Sequence, residues 1–310
     1  MTLIRSLARW GALLMAPLSV FSASASASPT VTHLRCEDTD APQLVDTATP
    51  RFSWRLESEQ RGVTQSAYQL RIVALDAHAQ ATDNALETQK IASGQSQWVP
   101  LAGFRAKAQT RYLWQVKVWD HLDRPSDWSE PAIFETSLLD QPWRAAWITD
   151  GRPVANGTAP PARYLRKSFA LPAASVRAKL YLSAFGLAEP WINGQRVTED
   201  YFLPGWPDYR KRNFYVSYDV TEQMQSGDNT FGIVLGDGWF SGTLFLKHQY
   251  DTLAKVSGWL EITQADGSTT RVATDDQWEW SEGPITAQGI YFGESVDARL
   301  TNPDWSKPSD

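Results

Sequence analysis

Tyr112-Leu113-Trp114-Gln115-Val116-Lys117-Val118 is the stretch that decides the fold class. Large apolar side chains at Tyr112, Trp114, Val116 and Val118 alternate with Gln115 and Lys117. A period of two is what a strand with one face on a core requires. The same alternation occurs upstream in Phe52, Trp54 and Leu56, set against Arg51, Ser53, Arg55 and Glu57, and again in Tyr68, Leu70, Ile72 and Ala74. Downstream it returns in Val176, Ala178, Leu180, Leu182 and Ala184, opposite Arg177, Lys179, Tyr181 and Ser183, and then in Phe214, Val216, Tyr218 and Val220. Helical periodicity is scarce. One helical turn is expected at Thr221 to Gln225, capped by Asp219 or Thr221 and ended by Gly227. Turn formers separate the strands: Ser93-Gly94, Asp120 to Pro125, Asn193-Gly194, and Ala265-Asp266-Gly267-Ser268 between Trp259 to Thr263 and Thr269 to Ala273. The chain therefore reads as all-β.

The strands fall into two groups. Residues 28–138 suit one sandwich of about seven strands and about 100 residues. This unit resembles a fibronectin type III sandwich. Trp54 sits on an early strand, Tyr112 to Val116 on the penultimate one, and Trp128-Ser129-Glu130-Pro131 leads into the last, Ala132 to Thr136. A short link, Leu138 to Pro142, has no Ser/Gly tract, so the two units are expected to dock closely. Residues 143–303 form a second β unit, read as a jelly roll. Asp150 to Ala162 is rich in Gly, Pro and Ala without periodicity and reads as a mobile surface loop.

The first 27 residues read as an export signal. Arg5 and Arg9 precede an apolar run from Trp10 to Phe21, and Ala25-Ser26-Ala27 fits the small-x-small cleavage pattern. Pro17 interrupts the run, which is too short to span a bilayer comfortably; a retained N-terminal anchor is the alternative. No later segment approaches about 18 uninterrupted apolar residues. The expected location is periplasmic or extracellular, with no membrane span once the signal is removed. The formal net charge is −6, and losing Arg5 and Arg9 makes the balance more acidic, which argues against nucleic acid as a partner. Cys36 is the only cysteine, so no internal disulfide forms and the fold must rest on core burial. There are 15 tryptophans. Each can bury about 150–250 Å², so structural use explains most, and those on loops are candidates for stacking on a sugar ring.

Catalytic signatures are missing. There is no zinc-like Cys pair, no His-Glu-x-x-His, no phosphate-cradling glycine loop and no Gly-x-Ser-x-Gly elbow. His33, His78, His121 and His248 are isolated in sequence. No metal and no cofactor is expected. Glu294 and Asp297 lie three apart, close to Arg299. A glycosidase needs two carboxyl groups about 5 Å or about 6.5–9.5 Å apart across the scissile bond, which sequence proximity does not supply. These three residues are read as a structural motif tied by Arg299. Two aromatic, glycine-containing loops remain: Leu203-Pro204-Gly205-Trp206-Pro207-Asp208-Tyr209 and Leu235-Gly236-Asp237-Gly238-Trp239-Phe240. Trp206, Asp208, Tyr209, Asp237 and Trp239 are the candidate substrate-binding residues, the rings for stacking and the carboxylates for accepting hydrogen bonds from sugar hydroxyls. The competing reading is that both tryptophans plug the sandwich ends or an interface with a neighbouring domain.

An ordered series of segments then carries a family resemblance. It comprises Pro50-Arg51-Phe52-Ser53-Trp54, Gln65-Ser66-Ala67-Tyr68, Trp114-Gln115-Val116-Lys117-Val118-Trp119-Asp120 and Ile192-Asn193-Gly194-Gln195-Arg196-Val197. It continues with Pro204-Gly205-Trp206-Pro207-Asp208-Tyr209, Tyr218-Asp219-Val220-Thr221, Leu235-Gly236-Asp237-Gly238-Trp239 and Gly293-Glu294-Ser295-Val296-Asp297-Ala298-Arg299. Together they resemble the N-terminal part of bacterial α-L-rhamnosidases of glycoside hydrolase family 78. The resemblance implies an immunoglobulin-like first domain and a jelly-roll second domain similar to carbohydrate-binding modules, followed by further β units and an (α/α)₆ barrel, whose acidic pair hydrolyses terminal α-L-rhamnose with inversion. No helical periodicity of that kind occurs here, so the barrel is expected to be missing. No catalytic residue is carried over, and residues 304–310 are expected to begin a linker to the missing domains. Two departures from the family pattern stand out. Pro207 replaces a more usual threonine, and Pro190 in Leu187-Ala188-Glu189-Pro190 cannot donate a ladder hydrogen bond, which places that strand at an edge or a bulge. The functional expectation is a non-catalytic accessory part of a secreted α-L-rhamnosidase. Its partners would be a rhamnose-containing glycan or glycoside and the catalytic barrel. A free-standing lectin-like module and a protein-interaction module remain as alternatives.

Overall fold

The computed structural model describes residues 28–308, apart from residues 83, 245, 246 and 249. The expected export signal lies outside the described residues. The first sandwich contains β1 (Thr30–Cys36), β2 (Arg51–Glu57), β3 (Gln65–Ala74), β4 (Leu86–Glu87), β5 (Ile91–Ala92), β6 (Val99–Pro100), β7 (Arg111–Asp120) and β8 (Ala132–Glu135). One sheet runs β1-β2-β6; the other runs β4-β3-β7-β8, with β5 also pairing β3. Strand β7 shows the cause directly. Tyr112, Trp114, Val116 and Val118 all point into the core and are buried. Phe52 of β2 meets Trp114 with ring centroids 4.6 Å apart, and Tyr112 stacks on Phe134 at 5.1 Å. The indole N–H of Trp54 donates to Gln65 Oε1 at 2.9 Å, so that ring is buried without losing its hydrogen bond. Cys36 is free and buried, so apolar burial rather than a disulfide holds this unit.

The second unit begins with β9 (Arg163–Leu171), β10 (Ser175–Phe185), β11 (Leu187–Ile192), β12 (Gln195–Arg196), β13 (Tyr215–Asp219) and β14 (Gly227–Gly236). A four-residue helix α1 (Gly238–Ser241) follows, then β15 (Thr243–Leu244), β16 (Lys247–His248), β17 (Lys255–Gln264), β18 (Thr269–Ala273), β19 (Glu279–Ser281), β20 (Ile285–Gly289) and β21 (Gly293–Val296). Two antiparallel sheets, β13-β10-β17-β18 and β12-β11-β14-β9-β19, enclose a core that includes Leu180, Leu182, Phe231, Ile233, Leu260 and Ile262. The β11–β12 hairpin turns at Asn193-Gly194 with φ of 50° and 80°, the positive pair that a type I′ turn needs. Pro190 falls on β11, whose far side is paired only at Trp191 and Ile192, so the missing donor sits at a sheet edge. The expected strand at Phe214 starts one residue later, at Tyr215. No described helix is long and apolar enough to cross a membrane.

Strand β10 is buried on both faces. Leu180, Leu182 and Ala184 enter the jelly-roll core, while Lys179, Tyr181 and Ser183 are buried on the opposite side. That second face forms the seam with the first sandwich. Glu135 of β8 takes Arg177 and Lys179 together, Lys179 Nζ lying 2.6 Å from its carboxylate and also donating to the Gln43 carbonyl at 3.1 Å. Trp143, just past the link, meets Trp259 edge-on at 4.6 Å and donates to Ser257 Oγ at 2.7 Å. The Leu138 N–H donates to the Tyr215 hydroxyl at 3.1 Å. The two sandwiches are thus docked by packing, ion pairs and hydrogen bonds at once.

Two segments make contacts that their sequence readings do not foresee. Residues 150–162 form no strand, as expected of a surface loop, and are tied to the fold at several points. Val154 N–H donates to Thr252 O at 2.7 Å, Gln288 N–H to Pro160 O at 3.0 Å, and the Asp150 side chain is fully buried in an ion pair. Residues 304–308 pack back onto the jelly roll. Trp305 packs edge-on against Tyr164 at 5.0 Å and lies so close to β14 that a Cβ on Gly232 would fall 2.8 Å from its ring. Gly194 N–H donates to Ser306 O at 2.9 Å, and Thr230 Oγ1 to Lys307 O at 3.1 Å.

Candidate functional site

The two aromatic loops meet at one end of the jelly roll. Trp206 lies parallel to Trp239, with centroids 5.3 Å apart and planes within 3°. Phe202 sits 5.5 Å from Trp239 on a tilted plane. Trp206 is 52% exposed and Phe202 is also exposed, so the cluster presents apolar ring faces to solvent rather than plugging the sandwich. Flat exposed rings of this kind suit the apolar face of a pyranose.

The backbone beneath Trp239 explains the placement. Strand β14 ends at Gly236, and Gly238 opens α1 with φ of 52°. A Cβ at Gly238 would fall 2.6 Å from Leu187 Cγ, so only glycine allows the chain to turn here against β11. Asp237, the residue between these glycines, points inward. Its Oδ1 accepts from Arg163 Nη1 at 2.8 Å and Ser241 Oγ at 3.1 Å, and its Oδ2 accepts from Gln288 Nε2 at 2.7 Å. It is fully buried. The sequence expectation that Asp237 contacts substrate is therefore corrected: its lone pairs serve the fold beneath the rings. Arg163, 2% exposed, holds a second carboxylate. Its Nε lies 2.9 Å from Asp150 Oδ1, close enough for an ion pair though poorly aligned for a hydrogen bond. Burial alone would raise the Asp150 carboxyl, but hydrogen bonds from Arg152 and the charge of Arg163 hold it below the usual carboxylate range.

The remaining candidates divide. Tyr209 is buried; its hydroxyl donates to Gly205 O at 3.2 Å and its ring packs against Phe240 and Tyr250. Burial, with the Tyr250 hydroxyl nearby, pushes its phenol up to about 12. It braces the Trp206 loop from within. Asp208 is partly exposed and paired to Arg210 Nε at 3.0 Å, while its carbonyl closes the turn by accepting from Lys211 N–H at 2.8 Å. The hydrogen bond from Arg210 lowers its carboxyl pKa. At the C-terminal end, Asp297 accepts from Arg299 N–H at 3.0 Å and grips its guanidinium at 2.6 Å, closing a 3-10 turn. Glu294 stands away from that tie, on β21 opposite Gln288. Sequence reasoning missed Arg163, Asp150, Gln288 and Phe202. The one available signal was a cation opening an otherwise apolar run, Arg163-Tyr164-Leu165.

Comparison with known proteins fits this architecture. Residues 31–140 match a family model described as the Rha78A-like, N-terminal immunoglobulin domain, and residues 173–310 match the alpha-L-rhamnosidase N-terminal domain. An alpha-L-rhamnosidase of Formosa agariphila is 35% identical over 275 residues, covering 84% of this chain and 30% of the relative. Among solved structures, the α-L-rhamnosidase of Aspergillus terreus superposes with a TM-score of 0.81 at 28% identity, covering 90% of this chain and 32% of that one. The enzyme of Dictyoglumus thermophilum gives 0.79 at 31% identity, covering 92% and 33%. The chain thus spans about a third of the length of these relatives.

Proposed function

Because this chain carries the N-terminal domains of glycoside hydrolase family 78 α-L-rhamnosidases, we propose that it acts as the non-catalytic N-terminal part of such an enzyme, exported to the periplasm or cell exterior. On this reading it gives structural support to the hydrolysis of terminal α-L-rhamnose and contacts the glycan through Trp206 and Trp239. The observation that carries the sugar contact is the parallel Trp206–Trp239 pair, in which Trp206 is exposed and Trp239 half-buried. The supporting role rests on the seam, where Glu135, Lys179, Trp143 and Trp259 fix one sandwich against the other. No observation favours a free-standing lectin or a protein-interaction module over this reading.

Titration of the purified chain with L-rhamnose, followed by tryptophan fluorescence and calorimetry, tests it. Saturable binding is expected. Losing a stacking ring removes about 1 kcal/mol, so Trp206→Ala should weaken affinity about fivefold. The unfolding midpoint should hardly change, because the ring is largely exposed. Absence of saturable binding at millimolar sugar would refute the sugar contact.

A further inference from the structure

Strand β11 turns Leu187, Glu189 and Trp191 outward, away from the jelly-roll core. Together with residues from the docked segment 301–306 and the loop 200–203, they line an open cleft of about 450 Å³. This volume lies within the range of about 300–1,000 Å³ typical of small-molecule sites. Its polar groups are held in place. Glu189 accepts from Trp191 Nε1 at 2.9 Å and pairs with Arg196 Nη2 at 2.9 Å. Arg196 in turn stacks over Tyr201, with its guanidinium carbon 5.0 Å from the ring centroid, and donates to the Asp200 carbonyl at 3.2 Å. Tyr201 is thereby fixed at the rim although it is 72% exposed. Glu294 of β21 lines the cleft as well, and Tyr164 lines it beside Trp305. Burial pushes the Tyr164 phenol up, partly offset by a backbone hydrogen bond with Ile285, and the negative charges of Glu189 and Glu294 add to the rise. Phe202 lines this cleft and also touches Trp239.

We propose that this cleft is a second saccharide subsite, joined through Phe202 to the Trp206–Trp239 surface, that takes a neutral sugar and rejects an anionic one. Carboxylates accept hydrogen bonds from sugar hydroxyls, and the lining sets Glu189, Glu294 and Asp200 against the single cation Arg196, so a uronate or sulfate would meet net negative charge. Tyr201 and Trp191 supply ring surface, and Leu187 supplies an apolar patch. The ligand class rests on the saccharide reading of the Trp206–Trp239 pair; the location does not.

The test is ¹⁹F NMR of the full chain labelled with 5-fluorotryptophan, with the Trp191 and Trp206 signals assigned by single Trp→Phe replacements. Methyl α-L-rhamnoside and glucuronate are the probes. The expected result is a saturable shift of the Trp191 signal with the neutral glycoside and a shift at least tenfold weaker in affinity with glucuronate. Tyr201→Ala should weaken the Trp191 response at least fivefold, and Glu294→Gln should narrow the preference against glucuronate. Both positions are exposed, so neither variant should move the unfolding midpoint. A shift confined to Trp206 would overturn the cleft while leaving the surface pair standing. Silence at both signals would overturn both, and equal response to glucuronate would overturn the charge argument.

Discussion

Arg163→Met should be among the most damaging single changes in the jelly roll. The guanidinium is buried between Asp150 and Asp237, at 2.9 Å and 2.8 Å. Its removal leaves two buried carboxylates short of their cation. Asp150 retains Arg152, and Asp237 retains Gln288 and Ser241. Breaking a buried ion pair from one side costs about 3–5 kcal/mol. At about 2–4 °C per kcal/mol for a domain of this size, the midpoint should fall by about 6–20 °C. Adding Asp237→Asn removes one stranded charge, so the double variant should recover at least about 1 kcal/mol. The pH dependence follows from Asp150, whose folded pKa lies below its ordinary value of 3.8. Its stabilisation is complete above that value and disappears as pH falls through the folded pKa. The penalty of Arg163→Met should therefore shrink below about pH 3.8. Thermal unfolding followed by tryptophan fluorescence and circular dichroism measures all three. A fall of less than about 3 °C at pH 7, or a double variant no more stable than the single, would refute the reasoning.

Gly238→Ala should cost about 2 kcal/mol, because a Cβ there combines a left-handed backbone with a collision against Leu187. Urea unfolding would show it, with the Trp239 environment perturbed in parallel. Lys179 has its pKa lowered from 10.5, because burial outweighs the attraction of Glu135. Its charge thus costs folded stability at neutral pH, and that cost is relieved as pH rises towards 10.5. Between pH 7 and 10 the wild-type chain should gain stability relative to Lys179→Met, measured by chemical unfolding; a constant difference would contradict this.

The all-β class and both sandwiches are legible in the sequence because one face of each long strand is apolar. Strand β7 shows this cleanly, with Tyr112, Trp114, Val116 and Val118 all inward. The alternation in β10 is equally clear, yet its second meaning is hidden. Lys179 and Tyr181 look like a solvent face and instead form the seam, since only the folded chain brings Glu135 and Gln43 to them. Arg163 and Asp237 lie 74 residues apart, and an ion pair at that separation leaves no periodic trace. The same cause misassigned Asp237, which resembles a loop acceptor until its partners are placed around it. The tie between Asp297 and Arg299 was readable because it is local. The two tryptophan loops were each recognisable, but their parallel rings depend on the turn at Gly238 and the bracing by Tyr209. Trp305 gave no sign that it returns to the sheet, because its partners Tyr164, Trp191 and Gly232 come from three different strands.

On the proposed function, these domains would support and contact a rhamnoside without cleaving it. The most direct measurement is release of p-nitrophenolate from p-nitrophenyl α-L-rhamnoside by the purified chain. The expected result is no release above the spontaneous rate, even at high protein concentration. Turnover that co-elutes with the chain in proportion to its amount, and survives removal of contaminants, would contradict the claim.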